Sequence, residues 1–379
     1  MKTKAVAGES SWVLRSKTVE LAITRRGGHM APVVFDRQRR AIRPFYIAQW
    51  KTPPAGLPPL LRLLRGDFFC MPFGGNAAPF RGERHPLHGE TANAAWRFLS
   101  VVHRGGRHEL ILRLRPKVRP GTVTKRIILR DGEDVVYQEH LLAGMRGPIT
   151  VGHHPNLLCR STGRLATSRL LAGSTYPFLM ESPADGNYGG LVPNVRFKKL
   201  GVVPLVYGGG SDLSVYPARR GFTDVVQLVN DPNVPVAWST IAFPEEGWLY
   251  FALKNPRTLG QTVLWFSNGG RWSDPWRGDP RDLLGLEDVT SFFAEGLAAS
   301  AKPNVWRRLG SKTTLELSPK KPTAIRYLFG VASIPKGFRV VHSVRFAKDG
   351  LTFVGDRGRA HAKVNWRFVL DGENGAGRD

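Results

Sequence analysis

The chain has only two cysteines, Cys70 and Cys159, among 379 residues. That excludes a framework of several disulfides and a cysteine-rich zinc site. One bridge between the two remains open at this stage. No apolar run approaches the ~18 residues of a membrane-spanning helix. Residues Met1 to Ser11 lack the apolar core of a secretory signal. The chain therefore reads as soluble and cytoplasmic. Acidic residues are scarce, 30 Asp and Glu against 55 Lys and Arg, giving a net charge of +25. Such a surplus attracts anions. The basic residues are scattered, however, and no zinc finger, helix-turn-helix or RNA-binding aromatic signature accompanies them. Nucleic acid is therefore not the expected partner. No strand–helix alternation, internal repeat or coiled-coil heptad is present, which argues against a parallel α/β sheet.

Turn formers are abundant, with 42 Gly and 28 Pro. Between them lie segments alternating apolar and polar residues, the period of a strand with one covered face. Residues Ser11 to Asp36 read as strand, Gly27-Gly28 turn and strand. Leu110, Leu112 and Leu114 alternate with Arg113 and Arg115. Val123 to Leu129 leads into Asp131-Gly132, a strong hairpin signal, and Val135, Tyr137 and Glu139 return. Further strands are expected at 212–216, 225–229, 248–253, 262–266, 313–317, 323–329, 340–346 and 363–370. The Pro-rich, aromatic stretch from Ile42 to Leu64, with Trp50, Pro53 and Pro54, reads as an irregular covering segment. One helix is expected, Val289 to Ala301, where Phe292, Phe293 and Leu297 fall near helical spacing. The pattern predicts an all-β protein, a large antiparallel β-sandwich with few short helices. It would form one domain over residues 11–371, between a flexible N-terminus (1–10) and a disordered tail (372–379).

Three polar signatures stand out from this background. The first runs from Pro72 through Asn76 and Arg81 to Glu83, His85, His88-Gly89 and Glu90. Its glycines and prolines suit a loop wrapped around a small ligand, and its polar side chains supply donors and acceptors. The second is Gly152-His153-His154-Pro155-Asn156. Adjacent residues of a strand point to opposite faces, so only one of the two histidines can face a given cleft. Pro155 would end the pairing and leave an imidazole at a rim. The third is Leu284-Gly285-Leu286-Glu287-Asp288-Val289-Thr290. A carboxyl group among Leu284, Leu286 and Val289 would have its pKa raised toward the range of a general base. Asp288 or Thr290 would cap the following helix. Taken singly, each signature also fits an ordinary polar loop, a structural histidine or a helix-start acid.

In their order and spacing these residues resemble the aldose 1-epimerase, or galactose mutarotase-like, superfamily. His88-Gly89 is similar to a His-Gly motif in that family's first third, His154-Pro155 to its central strand-borne His motif, and Leu286-Glu287 to its late Leu-Glu motif. Gly66-Asp67 through Asn76 is similar to the family's approach to its site. The resemblance covers roughly residues 11–300. Glu90 and Asp288 depart from it, and the family's substrate-gripping Arg has no plain counterpart, Asn76 and Arg81 being the candidates. It implies a galactose mutarotase-like supersandwich that interconverts sugar anomers by ring opening and closing. In that reading Glu287 is the base and His154 the acid, held protonated by the carboxylate. His88 holds the ring-oxygen side or shares the acid role. Asn76, Arg81, Glu90, His153 and Trp265 would contact substrate, and Trp265 and Trp272 could stack on a sugar's apolar face. No metal or organic cofactor is required. The partner would be a small sugar, free or phosphorylated, or a glycan. Two other readings remain: a non-catalytic carbohydrate-binding sandwich, and a cupin-like metal enzyme using His85, His88, Glu90 and His140.

Overall fold

The computed structural model describes residues 1–48 and 57–373. Trp50, Pro53 and Pro54 of the expected covering segment, and residues 374–379 of the expected tail, lie outside them.

Two large antiparallel sheets face each other. The back sheet runs, from edge to edge, Val215–Tyr216, Gly163–Thr167, Ala237–Phe243, Trp248–Lys254, Thr323–Ser333, Val135–Ala143, Thr122–Arg130, Arg107–Leu114 and Arg97–Arg104. The front sheet runs Arg196–Phe197, Leu170–Thr175, Phe222–Asn230, Gln261–Asn268, Leu283–Thr290, Val151–His153 and Phe69–Cys70, with Asn156–Leu158 also paired to Leu283–Thr290. Leu112, Ile127 and Phe329 from the back sheet meet Val226, Leu264 and Leu286 from the front sheet in the main core.

Each sheet is covered on its other face as well. A three-stranded sheet, Val341–Ala347, Gly350–Gly355 and Arg359–Lys363, closes over the back sheet, with Phe353, Val364 and Phe368 packed in one cluster with Phe251 and Leu328. Loops carrying Phe68, Phe73 and Phe293, and a short helix, Val305–Arg308, carrying Trp306, cover the front sheet at Val225, Val263 and Val289. The central strands Trp248–Lys254, Gln261–Asn268 and Leu283–Thr290 are therefore buried at every residue, as expected for strands covered on both sides. Clear one-face alternation survives on Arg107–Leu114, where Leu110, Leu112 and Leu114 are buried and Arg113 is half-exposed.

The Asp131-Gly132 hairpin joins Thr122–Arg130 to Val135–Ala143, with Gly132 at φ +78°. Several expectations are corrected. Lys4–Val6, within the segment expected to be a flexible N-terminus, pairs with Glu9–Arg15. The Ser11–Asp36 region is a meander of three strands, Glu9–Arg15, Glu20–Thr24 and Met30–Val34, rather than two. The 212–216 strand is split by a turn in which Asp212 accepts from the Ser214 amide and hydroxyl. The last expected strand stops at Lys363 and gives way to a short helix, Phe368–Asp371. Beyond it Glu373 is held by Arg107 and Arg130. Cys70 and Cys159 are both free and buried.

The expected Val289–Ala301 helix is also wrong for most of its length. The front-sheet strand continues to Thr290, and only Leu297–Ala301 is helical. Between them Phe293 has φ +45° and Gly296 φ +93°, which no helix accommodates. The amides of Ser291, Phe292 and Phe293 donate instead to the side chains of Gln261, Ser300 and Gln227. Asp288 therefore caps nothing. It faces the inter-sheet core, where it pairs with Lys254 at 2.5 Å.

Candidate active site

The outer face of the front sheet collects the first and third signatures and half of the second. Strand alternation decides which residues arrive there. On Leu283–Thr290, Leu284, Leu286 and Asp288 face the inter-sheet core, and Glu287 shares the outer side with Leu283 and Val289. The apolar surroundings of Glu287 are thus Val289 and the covering loops, rather than Leu284 and Leu286. Opposite Gly285 in the register stands Trp265. An alanine methyl at Gly285 would sit 2.7 Å from Glu287 Oε1 and 3.0 Å from Trp265 Cβ, so this glycine makes room for both side chains.

The two histidines of the second signature part company. His153 ends Val151–His153 facing the core, with its ring stacked on Tyr327 and Nδ1 3.1 Å from Asp67 Oδ2. It is fully buried, on the other side of the sheet from Glu287, so the expected substrate contact is corrected to a core histidine. His154 sits in the break that Pro155 makes between Val151–His153 and Asn156–Leu158. Its amide donates to Phe68 O, its ring stacks on Phe68, and Nε2 lies 3.3 Å from Glu287 Oε1.

His88 and Gly89 both adopt positive φ, +54° and +75°. An alanine methyl at Gly89 would come 1.9 Å from Met71 O, so the His-Gly pair is the turn that presses this loop onto the Phe69–Cys70 edge. His88 Nδ1 accepts from the Gly74 amide at 3.3 Å. That places its proton on Nε2. The His88 and His154 ring centres are 4.9 Å apart, edge to face.

The remaining predicted contacts have other tasks. Asn76 donates to the carbonyls of Pro72, Gly74 and Pro86 and accepts from the Leu297 amide; it locks the loop to the short helix. Arg81 is exposed, with its guanidinium over the Phe80 ring. Glu90 accepts from the amides of Lys117 and Val118. Trp265 is at the cluster, its ring centre 6.1 Å from that of His154 and its indole N–H without a partner among the described residues.

The four residues of the cupin reading do not converge. His85 pairs with Glu83, Glu90 holds backbone amides, and His140 stacks on Phe69 and packs beside His153 on the inner side.

Sequence reasoning passed over Arg271. Its guanidinium carbon lies 5.7 Å from the Trp265 ring centre and 5.1 Å from that of Trp276, and its Nε donates to Glu181. The signal was an Arg beside Trp272, just past the strand that carries Trp265.

Electrostatics follow from burial. Glu287 is only 2% exposed, and loss of water raises its pKa well above the usual carboxyl value. Burial lowers His88 to about 3. It takes His154 well below the usual imidazole value, with the neighbouring His88 adding to the effect. Burial therefore favours the uncharged form of both partners. Desolvation thus works against the expected imidazolium–carboxylate pair.

Two predictions follow. His29 is also lowered to about 3 and His140 far below its usual value, both by burial first. A lowered histidine contributes stability above its unfolded pKa of ~6.5, which is lost as pH falls toward the folded value. Four such histidines each take up to about 1.4 kcal/mol per pH unit below that point, and raised Glu287 offsets about one of them. The urea midpoint should fall from pH 7 to pH 5, and less steeply in a His29→Gln variant. A midpoint flat over this range would contradict the burial argument. The second prediction is that Gly285→Ala, by displacing the carboxyl group, lowers any turnover about 10²-fold and lowers the urea midpoint by the equivalent of about 1–3 kcal/mol of overpacking. Unchanged turnover would show that the carboxyl position does not matter.

The fold is that of the aldose 1-epimerase and galactose mutarotase-like proteins. Solved structures similar to this chain include a galactose mutarotase-like protein from Clostridium acetobutylicum (TM-score 0.56, 10% identity, covering 88% of this chain and 98% of that one). A galactose mutarotase related enzyme from Lactobacillus acidophilus matches at TM-score 0.53 and 11% identity, over 86% of this chain and 99% of that one. A protein of Escherichia coli K12, provisionally assigned as an aldose 1-epimerase, matches at TM-score 0.56 and 16% identity, over 86% and 99%. No protein-family model matches the sequence, and no curated protein matches it.

Proposed function

We propose that the protein is an aldose 1-epimerase-like isomerase acting on a sugar with a free anomeric hydroxyl. The observation that carries this reading is the buried contact between Glu287 Oε1 and His154 Nε2 at 3.3 Å, with His88 edge-on to His154. Opening the ring needs a proton taken from the anomeric hydroxyl and one given to the ring oxygen. Reclosure on the other face reverses both transfers. A carboxyl–imidazole pair sharing one proton has the right inventory. Sugar hydroxyls entering the site would solvate the carboxylate and favour its imidazolium partner. Glu287 then accepts from the anomeric hydroxyl while His154 donates to the ring oxygen. His88, with its Nε2 proton, donates a hydrogen bond on the ring-oxygen side. Trp265 offers an aromatic face and an indole N–H to the bound ring. All of this is general acid–base chemistry by side chains, worth about 10²–10⁴-fold in rate for each group.

Polarimetry of freshly dissolved α-anomers, over neutral, acidic and phosphorylated sugars, tests the proposal. Faster decay than in buffer for at least one sugar is expected. Binding of a sugar with no acceleration would favour the non-catalytic binding module instead.

A further inference from the structure

Beside the proposed site lies an aromatic surface that the acid–base chemistry does not use. Trp272 is 54% exposed and Tyr188 42% exposed. Exposed aromatics of this size call for a reason when they stand together. These two belong to adjoining segments: the Tyr188 amide donates to Gly270 O, and Asn187 bridges Arg271.

Trp272 is held in place as well as exposed. Its amide donates to Asn187 Oδ1, which also accepts from the Ser273 amide. The Gly278 amide closes the loop onto Arg271 O. The indole rests on Gly278, where a methyl group would lie 3.2–3.3 Å from Cη2, Cζ2 and Cζ3, and φ of +78° reserves that position for glycine. The surface is continuous with the site through the preceding residue, because Arg271 reaches over both Trp265 and Trp276.

We infer that Trp272, flanked by Tyr188, is a stacking platform for a second sugar ring, so that the substrate is the reducing end of an oligosaccharide rather than a lone monosaccharide. A sugar ring presents an apolar C–H face and a hydroxyl-bearing edge. An indole held flat and open to water matches the face, and the Arg271–Glu181 pair beside it offers polar groups to the edge. The inference rests on the acid–base reading for its first ring, and the experiment separates the two.

Anomeric exchange is measured by NMR on matched pairs: glucose with maltose and cellobiose, galactose with 1,4-galactobiose, mannose with 1,4-mannobiose. For the pair the protein accepts, wild type should favour the disaccharide in kcat/KM by about two- to twelve-fold, the range of one aromatic contact. Trp272→Ala should bring that ratio close to one, and Trp272→Phe should retain part of it. A wild-type ratio of one or less in every pair, or a ratio that Trp272→Ala leaves unchanged, overturns the platform while leaving the epimerase reading intact. If no sugar is turned over, the acid–base reading fails, and the same ratios are read from Kd by calorimetry with the same expectations. Failure of every sugar to bind overturns both.

Discussion

If the proposed reaction is right, replacing Glu287 by Gln should lower the rate of anomer exchange by about 10²–10⁴-fold without unfolding the protein. Gln keeps the length and hydrogen-bonding reach of Glu but cannot take the anomeric proton. The stability side of the same variant has a definite sign. The folded carboxyl group has a raised pKa because it is buried. Its contribution is therefore fully present below the unfolded value of ~4.3 and is lost as pH rises through the folded one. Above ~4.3 wild type carries the cost of a proton held against solution and, beyond the folded value, of a buried charge. Glu287→Gln removes the titration. Its urea midpoint should match or exceed that of wild type, with the difference growing toward alkaline pH. A variant that is inactive and also much less stable would make Glu287 a structural residue, and one as active as wild type would remove it as the base.

Lys254→Met should cost about 3–5 kcal/mol of stability, the range for removing one partner of a buried ion pair. Lys254 on the back sheet reaches Asp288 on the front sheet at 2.5 Å, each side chain 1% exposed. Its ammonium also donates to Gln261 O and Thr262 Oγ1. Burial pulls the lysine pKa down while Asp288 opposes that fall. Met fills the space of the stem but leaves Asp288 buried without its ion-pair partner. The double variant Lys254→Met, Asp288→Leu should recover most of the loss, since two apolar groups of similar volume often replace a buried pair without penalty. Urea denaturation of the two variants measures both effects. Equal losses in single and double variants would mean that packing, rather than the orphaned charge, sets the cost.

Much of this architecture was legible from local patterns. Leu110, Leu112 and Leu114 against Arg113 marked a strand with one covered face, and Asp131-Gly132 marked its neighbour's hairpin. The rule that adjacent strand residues face opposite ways already required His153 and His154 to separate. It could not say which went to the core, because that depends on Asp67, Gln138 and Tyr327 arriving from distant segments. The failed helix at 289–301 shows another limit. Phe292, Phe293 and Leu297 have helical spacing, but the strand gains its partners on both sides from Gln261 and Gly152. Those pairings outweigh a short local preference. Asn76 and Glu90 looked like ligand contacts because they are polar residues in a glycine-rich loop. Their groups are spent on backbone, Asn76 on the loop itself and the Leu297 amide, Glu90 on the amides of Lys117 and Val118. The direction of the pKa shifts at the site was hidden from sequence for the same kind of reason: charge attraction can be read from neighbours, but depth of burial cannot.

The central claim is that Glu287, His154 and His88 act together on one anomeric centre. A crystal structure of the Glu287→Gln protein with a reducing sugar tests it most directly. The account predicts the anomeric hydroxyl within hydrogen-bond distance of the residue 287 side chain, and the ring oxygen within reach of His154 or His88. A sugar bound elsewhere on the molecule, or bound here with its anomeric carbon turned away from all three side chains, would contradict it.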